Sequence, residues 1–152
     1  MSPIRLEFVT QERLLYEDDV DMVIAPGVDG ELGILPKHAP LMTILVPGEV
    51  IVRKAGEGDR YFAVGGGWLE VQPDKVTILA RSGEAAEEID IERAEAARRR
   101  AEAYLAEHPR RDEGRIAAEM ALRRSRVRLK LARRRRRERP RPVVGTGSEE
   151  GS

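Results

Sequence analysis

The chain has no cysteine and few aromatic residues. Without cysteine, neither a disulfide framework nor a thiolate metal site can form. Two Phe, three Tyr and one Trp in 152 residues leave the core to Val, Ile and Leu, most of which precede residue 90. No uninterrupted run of about 18 apolar residues occurs, so no segment is expected to cross a bilayer as a helix. Met1-Ser2-Pro3-Ile4-Arg5 lacks the apolar stretch of a signal peptide. Any membrane association is therefore expected to come through a partner. Histidine is also scarce: His38 and His108 are far apart and read as loop or packing residues. No nucleophile–base pair or metal-ligand cluster stands out, which argues against a free-standing enzyme.

What is present is a switch in hydrophobic period near Ile89. Before it, short runs alternate with period two and are cut by Gly, Pro and Asp. After it, Ala, Leu and Arg recur with period 3.6. Charge follows the same division. Residues 1–88 carry 8 Lys+Arg against 16 Asp+Glu, whereas residues 89–152 carry 19 against 11, so a zero net charge hides an acidic head and a basic tail. The two are suited to attract each other, or each to meet its own partner.

In the head, Ile4, Leu6 and Phe8 alternate with Arg5 and Glu7, a strand with one wet face. Leu14–Asp18, Val20–Ala25, Leu41–Val46, Glu49–Lys54, Arg60–Val64, Trp68–Val71 and Val76–Ala80 continue the series. Pro26-Gly27, Asp29-Gly30, Pro47-Gly48, residues 55–59 and Pro73-Asp74 read as turns. Short strands at this spacing suggest a sandwich or barrel. Gly65-Gly66-Gly67 has no phosphate-loop pattern and precedes a strand where a phosphate loop precedes a helix. It reads as a tight turn or bulge beside Trp68.

In the tail, Asp90 is suited to cap a first helix, with Glu92 in the first turn favouring the helix dipole. Ala94, Ala97, Ala101, Tyr104 and Leu105 form a narrow apolar stripe, and His108-Pro109 ends it. Asp112 can cap a second helix in which Ile116, Met120, Val127 and Leu131 fall at helical spacing. The short connection predicts an antiparallel hairpin. The expected organisation is thus residues 1–87 as an all-β sandwich or flattened barrel, residues 88–138 as an antiparallel two-helix hairpin, and residues 139–152 as a disordered tail.

Arginine carries the remaining signals. Arg93 and Arg100 share a helical face, as do Arg124 and Arg128. In a closed hairpin these guanidiniums would converge on a polyphosphate; the alternative is a ladder of surface arginines paired with Glu. The run 133–137 invites a reading as a β-domain nucleic-acid binder with a basic helical tail. It lacks aromatic interleaving, and a solvated helix end or a contact with an acidic protein surface suits it better.

Several longer blocks carry a resemblance. Gly30-Glu31-Leu32-Gly33-Ile34-Leu35-Pro36-Lys37-His38-Ala39-Pro40-Leu41, Pro47-Gly48-Glu49-Val50, Phe62-Ala63-Val64-Gly65-Gly66-Gly67-Trp68-Leu69-Glu70-Val71 and Val76-Thr77-Ile78-Leu79-Ala80 resemble the epsilon subunits of F-type ATP synthases. The likeness runs in order from about residue 4 to 132. Trp68 stands where the family often has Phe. The resemblance implies a sandwich of about ten strands followed by a helical hairpin. It implies a non-catalytic place in the rotating central stalk, bound to the gamma subunit and near the c-subunit ring. Such a subunit helps couple proton flow to ATP synthesis. It also implies a peripheral location on the cytoplasmic side of the plasma membrane, reached through the complex, and no nucleic-acid partner.

In some bacterial members of that family the hairpin binds a regulatory ATP through a motif that Ile89, Asp90, Arg93 and Ala94 match. Glu84, Arg100, Arg124 and Arg128 align with further residues of that site. An extended hairpin would meet the alpha and beta subunits and restrain hydrolysis. No other cofactor is implied. Gly114 and the long arginine run depart from the pattern.

Overall fold

A computed structural model describes residues 3–138, with side chains to residue 134; the predicted tail over 139–152 lies outside the described residues. Alternation of apolar and polar residues builds β1 (Ile4–Thr10), in which Ile4, Leu6 and Phe8 are buried while Arg5 and Glu7 are half-buried. The same period produces β2 (Leu14–Val20), β3 (Met22–Gly27), β4 (Gly30–Ile34), β5 (Leu41–Arg53), β6 (Arg60–Val71), β7 (Lys75–Ala80) and a short β8 (Gly83–Ala85). They hydrogen-bond in the order β2-β1-β7-β6-β5-β3-β4, with β8 on β6. The β1–β7 pair is parallel and the others are antiparallel.

Two long strands fold this sheet into a sandwich. The sequence suggests breaks at Pro47-Gly48 and at the glycine triplet, but β5 and β6 run through both. Both continue through, and β6 changes partner at the triplet, so among the described residues eight strands take the place of about ten shorter ones. Residues 67–71 of β6 pair with β7, and residues 62–64 pair with β8. The glycines at this junction are required. Gly66 and Gly67 have φ of 100° and 147°, and a Cβ on Gly67 would strike the Leu79 carbonyl oxygen.

Pro26-Gly27 also differs from expectation. Both residues belong to β3, opposite Glu31 and Gly30, and the turn falls at Val28-Asp29. Pro26 sits in the register irregularity between Ile24 and Gly27 against β5, where its missing N–H disrupts no regular ladder. The core between the layers includes Ile4, Leu6, Phe8, Val50, Phe62, Leu69 and Ile78. The rings of Phe8 and Phe62 meet at 5.2 Å, tilted by 60°.

A single 3₁₀ turn (Ala86–Glu88) leads to α1 (Ile91–Glu107) and α2 (Glu113–Glu138). Both caps read from the sequence form: Asp90 Oδ1 accepts from Arg93 N at 3.1 Å, and Asp112 Oδ1 accepts from Arg115 N at 2.8 Å. Arg115 Nη1 donates to the carbonyls of Leu105 and His108, satisfying the end of α1 from α2. His108 stacks on Tyr104 with ring centroids 3.9 Å apart. Gly114 explains itself here, because any Cβ at that position would collide with the Tyr104 hydroxyl. No described helix is long and apolar enough to cross a membrane.

The hairpin lies against the sandwich. Leu131 is fully buried in a small cluster with Tyr61, Ala63 and Ala86, joined by Ile51, Ile89 and Val127. The predicted α2 stripe is only half right: Val127 and Leu131 face inward, whereas Ile116 and Met120 are exposed. Ser125, Leu129 and Ala132 are buried in their place, because α2 packs on α1 and on β5 and β6 together.

Candidate functional site

The acidic head and basic tail meet through specific pairs. Arg128 forks onto Glu84, with Nη2 to Oε2 at 3.3 Å and a closer Nε–Oε1 contact. Arg134 Nη1 reaches Glu49 Oε2 at 3.1 Å, and its guanidinium lies 5.2 Å from the centre of the Tyr61 ring. At the hinge, Arg13 pairs with Glu88 and its guanidinium holds the Glu88 carboxyl below its ordinary range.

Between hairpin and sandwich, beside the Arg128–Glu84 pair, lies an open cavity of about 490 Å³, within the range of small-molecule sites. Glu84, Ser82 and Gly65 line it from the sandwich, and Arg93, Arg124 and Arg128 from the helices. Glu12 adds a second carboxylate and Ser125 a hydroxyl, although that hydroxyl already donates to the Ala121 carbonyl at 2.9 Å. Among the described residues, the Arg93 and Arg124 side chains have no hydrogen-bond or ion-pair partner. Two guanidiniums therefore stand unneutralised beside the paired Arg128. Such forks suit a phosphate chain.

Of the residues singled out from the sequence, the structure brings Glu84, Arg93, Arg124 and Arg128 together at this cavity. Ile89, Asp90, Ala94 and Arg100 do not line it. Ile89 packs in the cluster around Leu131, Asp90 caps α1, and Ala94 is fully buried. These three anchor the first turn and so aim Arg93 into the cavity. Arg100 is exposed on α1.

Sequence reasoning missed Glu12, Ser82 and Gly65. Gly65 was legible only as a bulge, yet a Cβ there would strike Ser82 Oγ and come within 3.4 Å of Arg124 Cδ. Its bareness leaves room for the arginine. Among the described residues, no group of three His, Asp or Glu side chains is placed to hold a metal.

A second surface lies on the sandwich itself. Ile44, Trp68 and Leu79 are directly opposite one another across β5, β6 and β7, hence on one face. They are 46%, 49% and 52% exposed, and Met42, two residues before Ile44, is 65% exposed. An exposed apolar row of this kind is suited to meet another molecule.

The comparisons with known proteins agree across the chain. Residues 3–86 match the family described as ATP synthase, Delta/Epsilon chain, beta-sandwich domain, and residues 87–133 match its long alpha-helix domain. The chain is 50% identical over 129 residues to an ATP synthase epsilon chain of Dehalococcoides mccartyi, covering 84% of this chain and 90% of that one. It is 60% identical over 96 residues to the ATP synthase epsilon chain of Chloroflexus aurantiacus, covering 63% and 68%. Among solved structures, a chain of the Euglena gracilis mitochondrial ATP synthase (OSCP/F1/c-ring, rotational state 1) superposes with a TM-score of 0.71 at 26% identity, over 81% of this chain and 77% of that one. A chain of the Tetrahymena thermophila mitochondrial ATP synthase central stalk/c-ring shares the fold, with a TM-score of 0.56 at 18% identity over 86% and 96%.

Proposed function

The chain belongs to the ATP synthase epsilon-chain family, whose members are non-catalytic subunits of a membrane-associated complex, and from that premise we propose that its hairpin regulates ATP hydrolysis and binds ATP while folded on the sandwich. The observation that carries this reading is the arginine-lined cavity between hairpin and sandwich. A ligand held there touches both parts, so it favours the folded arrangement by the difference in its affinity for the two states. Arg93, Arg124 and Arg128 would hold the phosphates, with the Glu84–Arg128 pair orienting the last of these.

The apolar row around Trp68 would seat the sandwich on the gamma subunit, near the c-subunit ring. Released, the basic α2 would reach acidic surfaces of the alpha and beta subunits and oppose rotation in the hydrolytic direction. In its cell the complex would place the chain at the cytoplasmic side of the plasma membrane.

Calorimetry on the full chain tests the site. ATP is expected to bind one site, with Arg93→Ala and Arg124→Ala each weakening it about 10- to 100-fold, the worth of one charge-assisted hydrogen bond. Arg100→Ala should bind like the parent. Undiminished ATP binding by Arg93→Ala would move the site elsewhere. Association has its own test: Trp68→Glu should lower retention of the chain by immobilised gamma subunit at least about tenfold, because a charge replaces a large apolar contact. Equal retention would exclude this face.

A further inference from the structure

The helices hold a second cavity, of about 380 Å³, lined by Arg98, Arg126, Leu129, Lys130, Arg133 and Arg134. It shares no residue with the first. Arg124 and Arg128 stand four apart on one face of α2, whereas Arg126, Lys130 and Arg134 stand four apart on another. All but one of the lining side chains are cationic, and none is a carboxylate. Glu95 pairs with Arg133 at 3.5 Å and Glu49 with Arg134 from outside. Among the described residues, Arg126 and Lys130 have no ion pair.

Arg98 is the most telling member. Its Nε is buried with no hydrogen-bond partner, and the nearest carboxylate oxygen, on Glu102, is 4.0 Å away. That nitrogen is closed off, while 33% of the Arg98 side chain stays exposed beside its cationic neighbours in the groove. Like charges lining one groove repel, and among the described residues the carboxylates of Glu102, Glu95 and Glu49 offset only three of the five.

We infer that this groove is a second anion site that takes the bare phosphate chain of an inorganic polyphosphate. The chemistry favours phosphate. Guanidinium forks match its oxygens two at a time, and a tripolyphosphate chain presents several such oxygens along one line. The lining offers a single aliphatic side chain, Leu129, and no aromatic ring to stack a base, so a nucleoside adds nothing there. Because Arg98 belongs to α1 and the remaining cations to α2, an anion in the groove clasps the helices together. It would stabilise the hairpin as a unit, independently of any ligand beneath it.

Tripolyphosphate without nucleoside is the probe, titrated calorimetrically into the full chain carrying Arg93→Ala and Arg124→Ala so that the first cavity does not compete. One site is expected, and adding Arg98→Gln with Lys130→Gln should weaken it at least about tenfold. The circular dichroism spectrum should be unchanged. Arg98→Lys, which keeps the charge and loses the fork, should fall between. The proposal is overturned if the first two substitutions alone abolish tripolyphosphate binding, or if Arg98→Gln with Lys130→Gln leaves it unaltered. It is equally overturned if a polyglutamate peptide of matched charge binds as tightly, since the groove would then suit an acidic chain of any kind.

Discussion

A chain cut after Glu88 folds into an intact sandwich and, in the reassembled complex, raises ATP hydrolysis at least about fivefold, the lower edge of ordinary coupling between sites. Folding survives because the main core closes on itself within residues 4–80. Among the described residues, the hairpin meets the sandwich mainly through the small cluster around Leu131, the pairs at Glu84 and Glu49, and Arg134 over Tyr61. Both pairs are part-buried, but Glu84 and Glu49 become solvated once the hairpin is gone, so their loss costs the sandwich little. Thermal unfolding followed in the far ultraviolet should retain a cooperative β transition while the helical signal disappears. Hydrolysis equal to that of the complete complex would remove the regulatory role from the hairpin.

Leu131→Asp has the opposite sign. Leu131 is fully buried between α2 and the sandwich. Losing its apolar contact costs about 2 kcal/mol or more, and a carboxylate forced into that cluster adds a desolvation penalty. The docked-to-free ratio should fall by at least about 30-fold. The helices remain, because Asp90, Asp112 and Arg115 still satisfy their ends. The hairpin is thus freed, not removed, and hydrolysis should fall where truncation made it rise. ATP binding should weaken in parallel, since Glu84 and Arg128 part when α2 leaves. Proteolysis of the isolated chain reports the release directly as faster cleavage in the segment joining sandwich to α1. If Leu131→Asp and truncation move hydrolysis in the same direction, an extended hairpin is not the inhibitory form.

The pair of substitutions separates two roles of the same helix. On the proposed regulation, its apolar residues near Leu131 would set whether it is docked, and its arginines what it would meet when docked or free. Arg134 belongs to both groups, held by Glu49 and by the face of Tyr61. That dual attachment lies close to the basic groove, so a polyanion there and the Glu49 carboxylate compete for one guanidinium.

Local chemistry was legible in the residue order alone. Period-two alternation placed the strands, and the change of period at Ile89 placed the helices. Asp90 and Asp112 announced their caps because a cap needs only a side chain and an amide three residues on. The resemblance carried by the blocks from Gly30 to Ala80 named the family. What the order of residues left open was decided by packing. Pro47-Gly48 and Gly65–67 look like ends of strands, and only the pairing of β5 with β6 carried both strands through them. Ile116 and Met120 satisfy the helical period, but period specifies a direction and not the neighbour that fills it. With α1 on one side and the sandwich on another, α2 buried Ser125, Leu129 and Ala132 instead. For the same reason Arg93 and Arg124, distant in sequence, came to share a cavity while Arg100 did not: a helix fixes which residues share a face, and only tertiary contact determines what that face meets.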